Sequence, residues 1–181
     1  ELVSKFGNFL AKKYISLATK IYHFKHNYLY DKKDIDYTQF ILGDKKPAKL
    51  DATDFKILGI IAEHSRAPTA DIADKMHLSL NAVKYRINKM IESQVILGFR
   101  AKLNSAYFGY EHYKVFLMLN NNTHENIRKL ITYMKYHPNV VYITKSFIAD
   151  FEFEAVVESK RELYNMIKDI RTKFPELIKE H

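Results

Sequence analysis

The chain has 181 residues, of which 47% are apolar and 28% charged, the balance of an ordinary globular protein and not of a disordered one. It contains no cysteine, which excludes disulfide frameworks, thiolate metal sites and cysteine nucleophiles. No apolar run approaches the roughly 18 residues a membrane span needs, and no secretory pattern opens the sequence, so a cytoplasmic location without membrane partners is expected. The net charge of +8 and pI near 9.4 favour polyanionic partners. That charge is spread unevenly. Residues 1–49 hold 10 lysines against 5 acids, residues 50–103 hold 8 bases against 6 acids, and residues 104–181 hold 11 against 10. Most of the excess therefore lies outside the middle segment. Within that segment, however, Lys84, Arg86, Lys89, Arg100 and Lys102 face only Glu92.

In chain order, residues 1–14 read as the end of a helix, with Leu2, Phe6, Phe9 and Leu10 on one face. The sequence opens inside this helix without a methionine, as an excised fragment would. Residues 15–30 alternate β-branched and aromatic residues and read as one long strand. Residues 31–49 form a polar linker with a short strand at Tyr37–Leu42. Asp51, as N-cap with Asp54 in the first turn, opens a helix over 50–64. Phe55, Leu58, Ile61 and Ala62 make its stripe, with Ile57 at the edge. A second helix from Thr69 to Met76 buries Ile72, Ala73 and Met76. His77-Leu78 then turns into Ser79, which caps a third helix running to Ser93. Val95–Lys102 reads as a two-stranded wing turning at Gly98.

Residues 110–120 read as a strand. Thr123 caps a helix buried through Ile127, Leu130, Ile131 and Met134. Val140–Ile148 and Phe151–Val157 read as a strand pair. Ser159 and Glu162 make a capping box for a last helix that buries Leu163, Met166, Ile167 and Ile170. This strand-helix-strand-strand-helix order is ferredoxin-like without a final strand. Residues 4–10 echo residues 172–178 at a constant offset of 168 (173 − 5), which casts 1–30 as the closing helix and strand of another such unit. The fold class is thus α+β, in three segments. Residues 1–49 are the C-terminal helix and strand of a ferredoxin-like unit plus linker, 50–103 a winged helix-turn-helix, and 104–181 a ferredoxin-like regulatory and dimerisation domain lacking its last strand. Strand 15–30 is expected to complete a sheet of residues 110–181, in this chain or in a partner's, because an open edge would otherwise remain.

Three short helices and a basic wing are the layout of a winged helix-turn-helix. On the third helix Val83, Ile87, Met90 and Ile91 fall to one side, and Asn81, Tyr85 and Asn88 to the other, flanked by Lys84 and Lys89. Amide, phenol and ammonium groups on one face suit base edges and phosphates in a major groove. The Ser79-capped end, with Ala82 in its first turn, can receive a phosphate. Arg100 and Lys102 on the wing suit the backbone. Thr69 at the start of the second helix joins this set. Arg86, near the core edge, can pair with Asp71, with Asp74 or with phosphate. Glu92 repels DNA, which concentrates contact in the first two turns. A winged helix used only for protein contacts would share this layout.

The stretch from Leu50 to Tyr110 resembles the DNA-binding domain of the Lrp/AsnC (feast/famine) regulators. Leu50-Asp51, Asp54, Ile57-Leu58, Arg66, Leu78-Ser79, Val83, Arg86-Ile87, Val95-Ile96, Gly98 and Leu103-Asn104 match its pattern. Residues 110–181 resemble, more loosely, the family's ferredoxin-like (RAM-type) regulatory domain, and archaeal members with tandem units look most similar. The resemblance implies a transcription regulator, not an enzyme, with double-stranded DNA as partner and palindromic sites. It also implies a homodimer or higher homo-oligomer, an amino acid or similar small-molecule effector, and Arg66 among the DNA-binding residues. The family's effector signature, a glycine followed by an aromatic and an aspartate, is replaced here by Ile148-Ala149-Asp150-Phe151-Glu152, which leaves Asp150 and Glu152 as the effector-site candidates. The sirohaem decarboxylases share this architecture, and a tetrapyrrole-processing enzyme is the alternative class. The run Tyr142-Ile143-Thr144-Lys145-Ser146-Phe147, however, has no histidine. Asp150, Glu152 and Glu154 alternate along a strand; three acids on one face could bind a metal or an amine, but they read as a solvated sheet face or a charged dimer rim. His23 and His26 point to opposite faces of theirs. A metal shared by these two histidines is not expected. No catalytic residue, metal or cofactor is expected.

Overall fold

The computed structural model describes residues 15–30, 39–43, 47–147 and 149–178. The expected helix over 1–14 lies outside them. The described residues divide into two compact units, one within 45–103 and the other drawn from those before 45 and after 103.

The first unit is three helices, α1 (Ala52–Glu63), α2 (Thr69–Met76) and α3 (Leu80–Glu92). Its core is Ile57, Ile72, Ala73, Val83, Met90 and Ile96, with Leu58, Ile61, Met76 and Ile87 packed against them. The stripe on α1 is rotated from the expected one. Ile57 is its fully buried centre, whereas Phe55 is 63% exposed. Ile91 is likewise exposed, leaving Val83 and Met90 as the buried residues of α3. The wing expected over 95–102 forms no strands. Ile96 alone of that run is buried while Phe99 is exposed, so little apolar contact holds two strands in register.

The second unit carries a five-stranded sheet. Its strands are β1 (Lys20–Phe24), β2 (Gln39–Gly43), β3 (Glu111–Leu117), β4 (Val140–Lys145) and β5 (Phe151–Val157), in the order β2-β1-β4-β5-β3. Every pairing is antiparallel. Two helices, α4 (His124–Lys135) and α5 (Lys160–Lys173), bury Ile127, Leu130, Met134, Leu163, Met166 and Ile170 against Leu117, Phe151, Phe153, Ala155 and Val157. Each of these side chains other than Ala155 contributes about 1.5–3 kcal/mol by leaving water. Strand alternation explains the choice of face, since Phe151, Phe153, Ala155 and Val157 share one side of β5. Thr123 and Ser159 cap the helices by accepting from Asn126 N at 3.3 Å and Glu162 N at 3.4 Å. The second cap is only half of the expected box, because the Glu162 carboxylate takes Glu158 N at 2.8 Å instead. The Tyr133 hydroxyl on α4 donates to Asp169 on α5. Burial first, and this bond second, push its pKa up to about 12.

The strand expected over 15–30 is shorter, Lys20–Phe24, because the chain then turns through a 3-10 helix at Asn27–Leu29. It joins this sheet within the same chain, but beside β4, with Lys20 opposite Lys145 and His23 opposite Tyr142. The final strand of a ferredoxin-like pattern would lie at the other edge, beside β3. The single bridge Leu119–Ile178 forms there among the described residues. β1 turns back into β2 with Lys20 opposite Gly43. Gly43 has φ +89°, and a Cβ there would stand 2.3 Å from the Thr19 carbonyl oxygen, so only glycine fits.

Candidate nucleic-acid interface

The geometry of the first unit is set by two turns. His77 closes α2 in the left-handed region at φ 53°, which the short hydrogen-bonding side chains of Asn, Asp and His tolerate best. Leu78 N then donates back to Ala73 O at 3.0 Å. Ser79 follows in extended conformation, its Oγ accepting from Ala82 N at 3.2 Å. This fixes the start of α3. At the other end Val95 N and Ile96 N both donate to Met90 O, at 2.9 and 3.0 Å.

With Val83 and Met90 turned inward, the outward face of α3 is the expected one. Asn81, Lys84, Tyr85, Asn88 and Lys89 are all exposed. Tyr85 is 67% exposed, so its ring and hydroxyl face solvent. Ala82 is half-buried beside them. Ser79, Arg66, Arg100 and Lys102 are exposed and Thr69 is half-buried.

Arg86 differs. It reaches neither Asp71 nor Asp74. One guanidinium nitrogen, Nη1, sits 2.7 Å from both Asp51 Oδ2 and Asp54 Oδ1. Those two carboxylates already form the capping box of α1. Asp51 accepts from Asp54 N at 2.8 Å and Asp54 from Asp51 N at 3.1 Å. The Arg86 hydrogen bond holds the Asp51 carboxyl below its ordinary range, and the two aspartates raise the guanidinium. Arg86 is thus engaged in clamping α3 to the start of α1, and its charge is already neutralised. A through-space pair across 32 and 35 residues leaves no spacing signal in the sequence.

Beside the clamp lies a groove of about 470 Å³ whose lining includes Lys49, Ala82, Tyr85 and Lys89. Lys49 was not singled out by the sequence, where it reads as part of a polar linker. Its only signal was its place directly before Leu50-Asp51. The groove thus brings a cation from before α1 to the exposed flank of α3.

The two effector-site candidates are not free carboxylates. Asp150 lies in the loop before β5, accepting from Leu119 N at 2.8 Å and Asn122 Nδ2 at 2.9 Å. Glu152 is 3% exposed, with Lys114 Nζ at 3.1 Å and the Ser146 hydroxyl donating to it. Glu154 meets His112 Nε2 at 2.9 Å. Glu152 and Glu154 are therefore paired side chains on β5, and Asp150 is held in the loop before it. Among the described residues no group of three or more potential ligands is placed to hold a metal ion.

The family description "Winged helix-turn-helix DNA-binding" matches residues 50–96. The transcriptional regulator Rv2324 of Mycobacterium tuberculosis is 45% identical over 62 residues, which are 34% of this chain and 42% of that protein. The likeness over this domain extends to regulators named for the Lrp and AsnC proteins. The Leucine-responsive regulatory protein of Rhizobium meliloti is 35% identical over 63 residues, 35% of this chain and 40% of that relative. A solved AsnC family transcriptional regulator from Agrobacterium tumefaciens matches with a TM-score of 0.63 and 26% identity, covering 72% of this chain and 86% of that one. The chain thus matches less than half the length of these two curated relatives, while the structural likeness to the AsnC regulator extends well beyond residues 50–96.

Proposed function

We propose that this chain is a sequence-specific DNA-binding transcription regulator. The observation that carries the reading is the outward face of α3, where Asn81, Lys84, Tyr85, Asn88 and Lys89 are all exposed on a helix whose inward side is locked into the three-helix core. A helix held this way presents its first two turns to a major groove. Asn81 and Asn88 supply amides of the kind that pair with adenine, and Tyr85 a hydroxyl. Lys84, Lys89 and Lys49 supply phosphate contacts that position without reading sequence. The capped start of α3 receives a backbone phosphate. Arg66, Thr69, Arg100 and Lys102 flank this face in sequence and complete the proposed contact set. Arg86 leaves it and becomes a structural clamp.

The sheet unit pairs two or more copies of the chain, so that two recognition helices meet a palindromic site. Small-molecule sensing by that unit would proceed without free Asp150 and Glu152 carboxylates, since both are already bonded. The named relatives are transcriptional regulators, and they lend no support to a tetrapyrrole-processing enzyme or a pure protein-interaction module. No helix among the described residues is long and apolar enough to cross a membrane. The test is retention of the full chain on duplexes selected from a random pool, with an enriched motif expected.

A further inference from the structure

Along α5 the charges sort by sign. Residues 160–173 hold five bases (Lys160, Arg161, Lys168, Arg171, Lys173) and two acids (Glu162, Asp169). Leu163, Met166 and Ile170 fill the buried side. At 3.6 residues per turn, Lys160, Arg161, Tyr164, Lys168 and Arg171 fall within about 100° of arc away from it. All five are exposed. Both acids are engaged elsewhere, Glu162 with Glu158 N and Asp169 with the Tyr133 hydroxyl. Lys114 and Lys129 have carboxylate partners within 4 Å, but among the described residues Lys160, Arg161, Lys168 and Arg171 have none. A groove of about 470 Å³ lined by Tyr164, Ile167, Lys168, Arg171 and Thr172 runs along this face. It adds the Tyr164 hydroxyl to the cations, while the Thr172 hydroxyl donates to Lys168 O at 2.9 Å.

We propose that this face of α5 is a second, sequence-independent contact for duplex DNA, gripping backbone phosphates separate from those met by α3. The inference rests on the DNA-binding reading of the chain. Three considerations favour DNA. From Lys160 to Arg171 the row spans about 16 Å at 1.5 Å per residue, long enough to meet several phosphates of a duplex that carries a charge per strand about every 3.4 Å of its axis. The apolar side of α5 is buried in the core, so the helix cannot insert into a lipid interface as a membrane-binding amphipathic helix does. And the chain already carries a DNA-binding domain, which brings duplex within reach.

The test uses the full chain and random-sequence duplexes, one a single helical turn long and one several turns long, titrated across salt concentrations. The variants are K160Q/R161Q/K168Q/R171Q, the charge-keeping K160R/R161K/K168R/R171K, and Lys84→Ala. On the long duplex the neutralised variant should show a salt slope shallower by about 2–3, since each lost phosphate contact removes about 0.9, and at least a tenfold loss of affinity at low salt. On the short duplex it should match the wild type, and the charge-keeping variant should match it on both. Wild-type slopes on both duplexes for the neutralised variant, with Lys84→Ala still flattening them, would overturn this inference and leave the regulator reading standing. Loss in the charge-keeping variant too would overturn it, since charge would not be the cause. So would binding to phosphatidylserine vesicles that the neutralised variant loses while its DNA slopes stay unchanged. Absence of salt-dependent DNA binding by the wild type would sink the regulator reading itself.

Discussion

Arg86 Nη1 and Asp54 Oδ1 stand 2.7 Å apart, and the same nitrogen reaches Asp51 at 2.7 Å. One side chain of the recognition helix thereby holds both members of the cap that starts α1. Asp54 is buried, so removing Arg86 leaves a carboxylate in the core without its cation, a change that costs more than the pair itself contributes. Arg86→Met should lower the melting temperature, and Arg86→Lys should recover part of the loss, because an ammonium cannot reproduce the guanidinium geometry. Thermal unfolding followed by circular dichroism measures both.

The same pair sets an acid limit. Because the folded-state pKa of Asp51 is depressed by Arg86, the stability it confers is complete above the ordinary aspartate pKa of about 3.9 and is lost as pH falls through the lower folded value. Asp51→Asn should reduce stability at neutral pH and flatten the dependence below about pH 4. A midpoint that falls as steeply in that variant as in the wild type would contradict the assignment.

In the sheet unit, Glu152 is 3% exposed and depends on Lys114 Nζ at 3.1 Å and on Ser146. Lys114→Met should destabilise the chain by about 1–3 kcal/mol, less than for a fully buried pair because the lysine is half exposed. The double variant Lys114→Met/Glu152→Met should recover much of that loss in a double-mutant cycle. Chemical denaturation of the four proteins gives the coupling.

His137 titrates in the opposite sense to a salt-bridged histidine. Burial lowers its pKa, and its Nδ1 faces Asn139 N at 3.3 Å. A base with a depressed folded pKa destabilises the fold as pH falls below the unfolded histidine value of about 6.5, where the unfolded state binds the extra proton first. The wild type should therefore lose stability as pH falls below that value, and His137→Gln should lose less. Equal losses would contradict it.

The sequence carried α1, α3, α4 and α5 and their caps because Asp51, Ser79, Thr123 and Ser159 are local signals, each accepting a hydrogen bond within three residues. It carried the outward face of α3 because Val83 and Met90 fix the phase. It did not carry Ile57 as the centre of α1, since Phe55 and Ile57 are both apolar and only packing against α2 and α3 decides between them. The long strand over 15–30 overran because alternation cannot see the turn at Asn27. The place of β1 beside β4, and the hold of Arg86 on Asp51 and Asp54, are through-space relations that no local pattern encodes.

Lys84 and Asn81 are expected to act differently although they lie one turn apart on α3. Lys84→Ala should weaken binding to every duplex alike and flatten the salt slope by about one phosphate. A loss confined to one sequence would show that Lys84 reads bases instead.

The central claim is that α3 reads bases. The most direct measurement is selection of bound duplexes from a random pool by the wild type and by Asn81→Ala. The account predicts an enriched motif for the wild type and a relaxed preference at the contacted position in the variant, by about 1–3 kcal/mol for a bidentate contact. An identical motif from both proteins would contradict the role of Asn81, and no enrichment by either would contradict base reading by this helix.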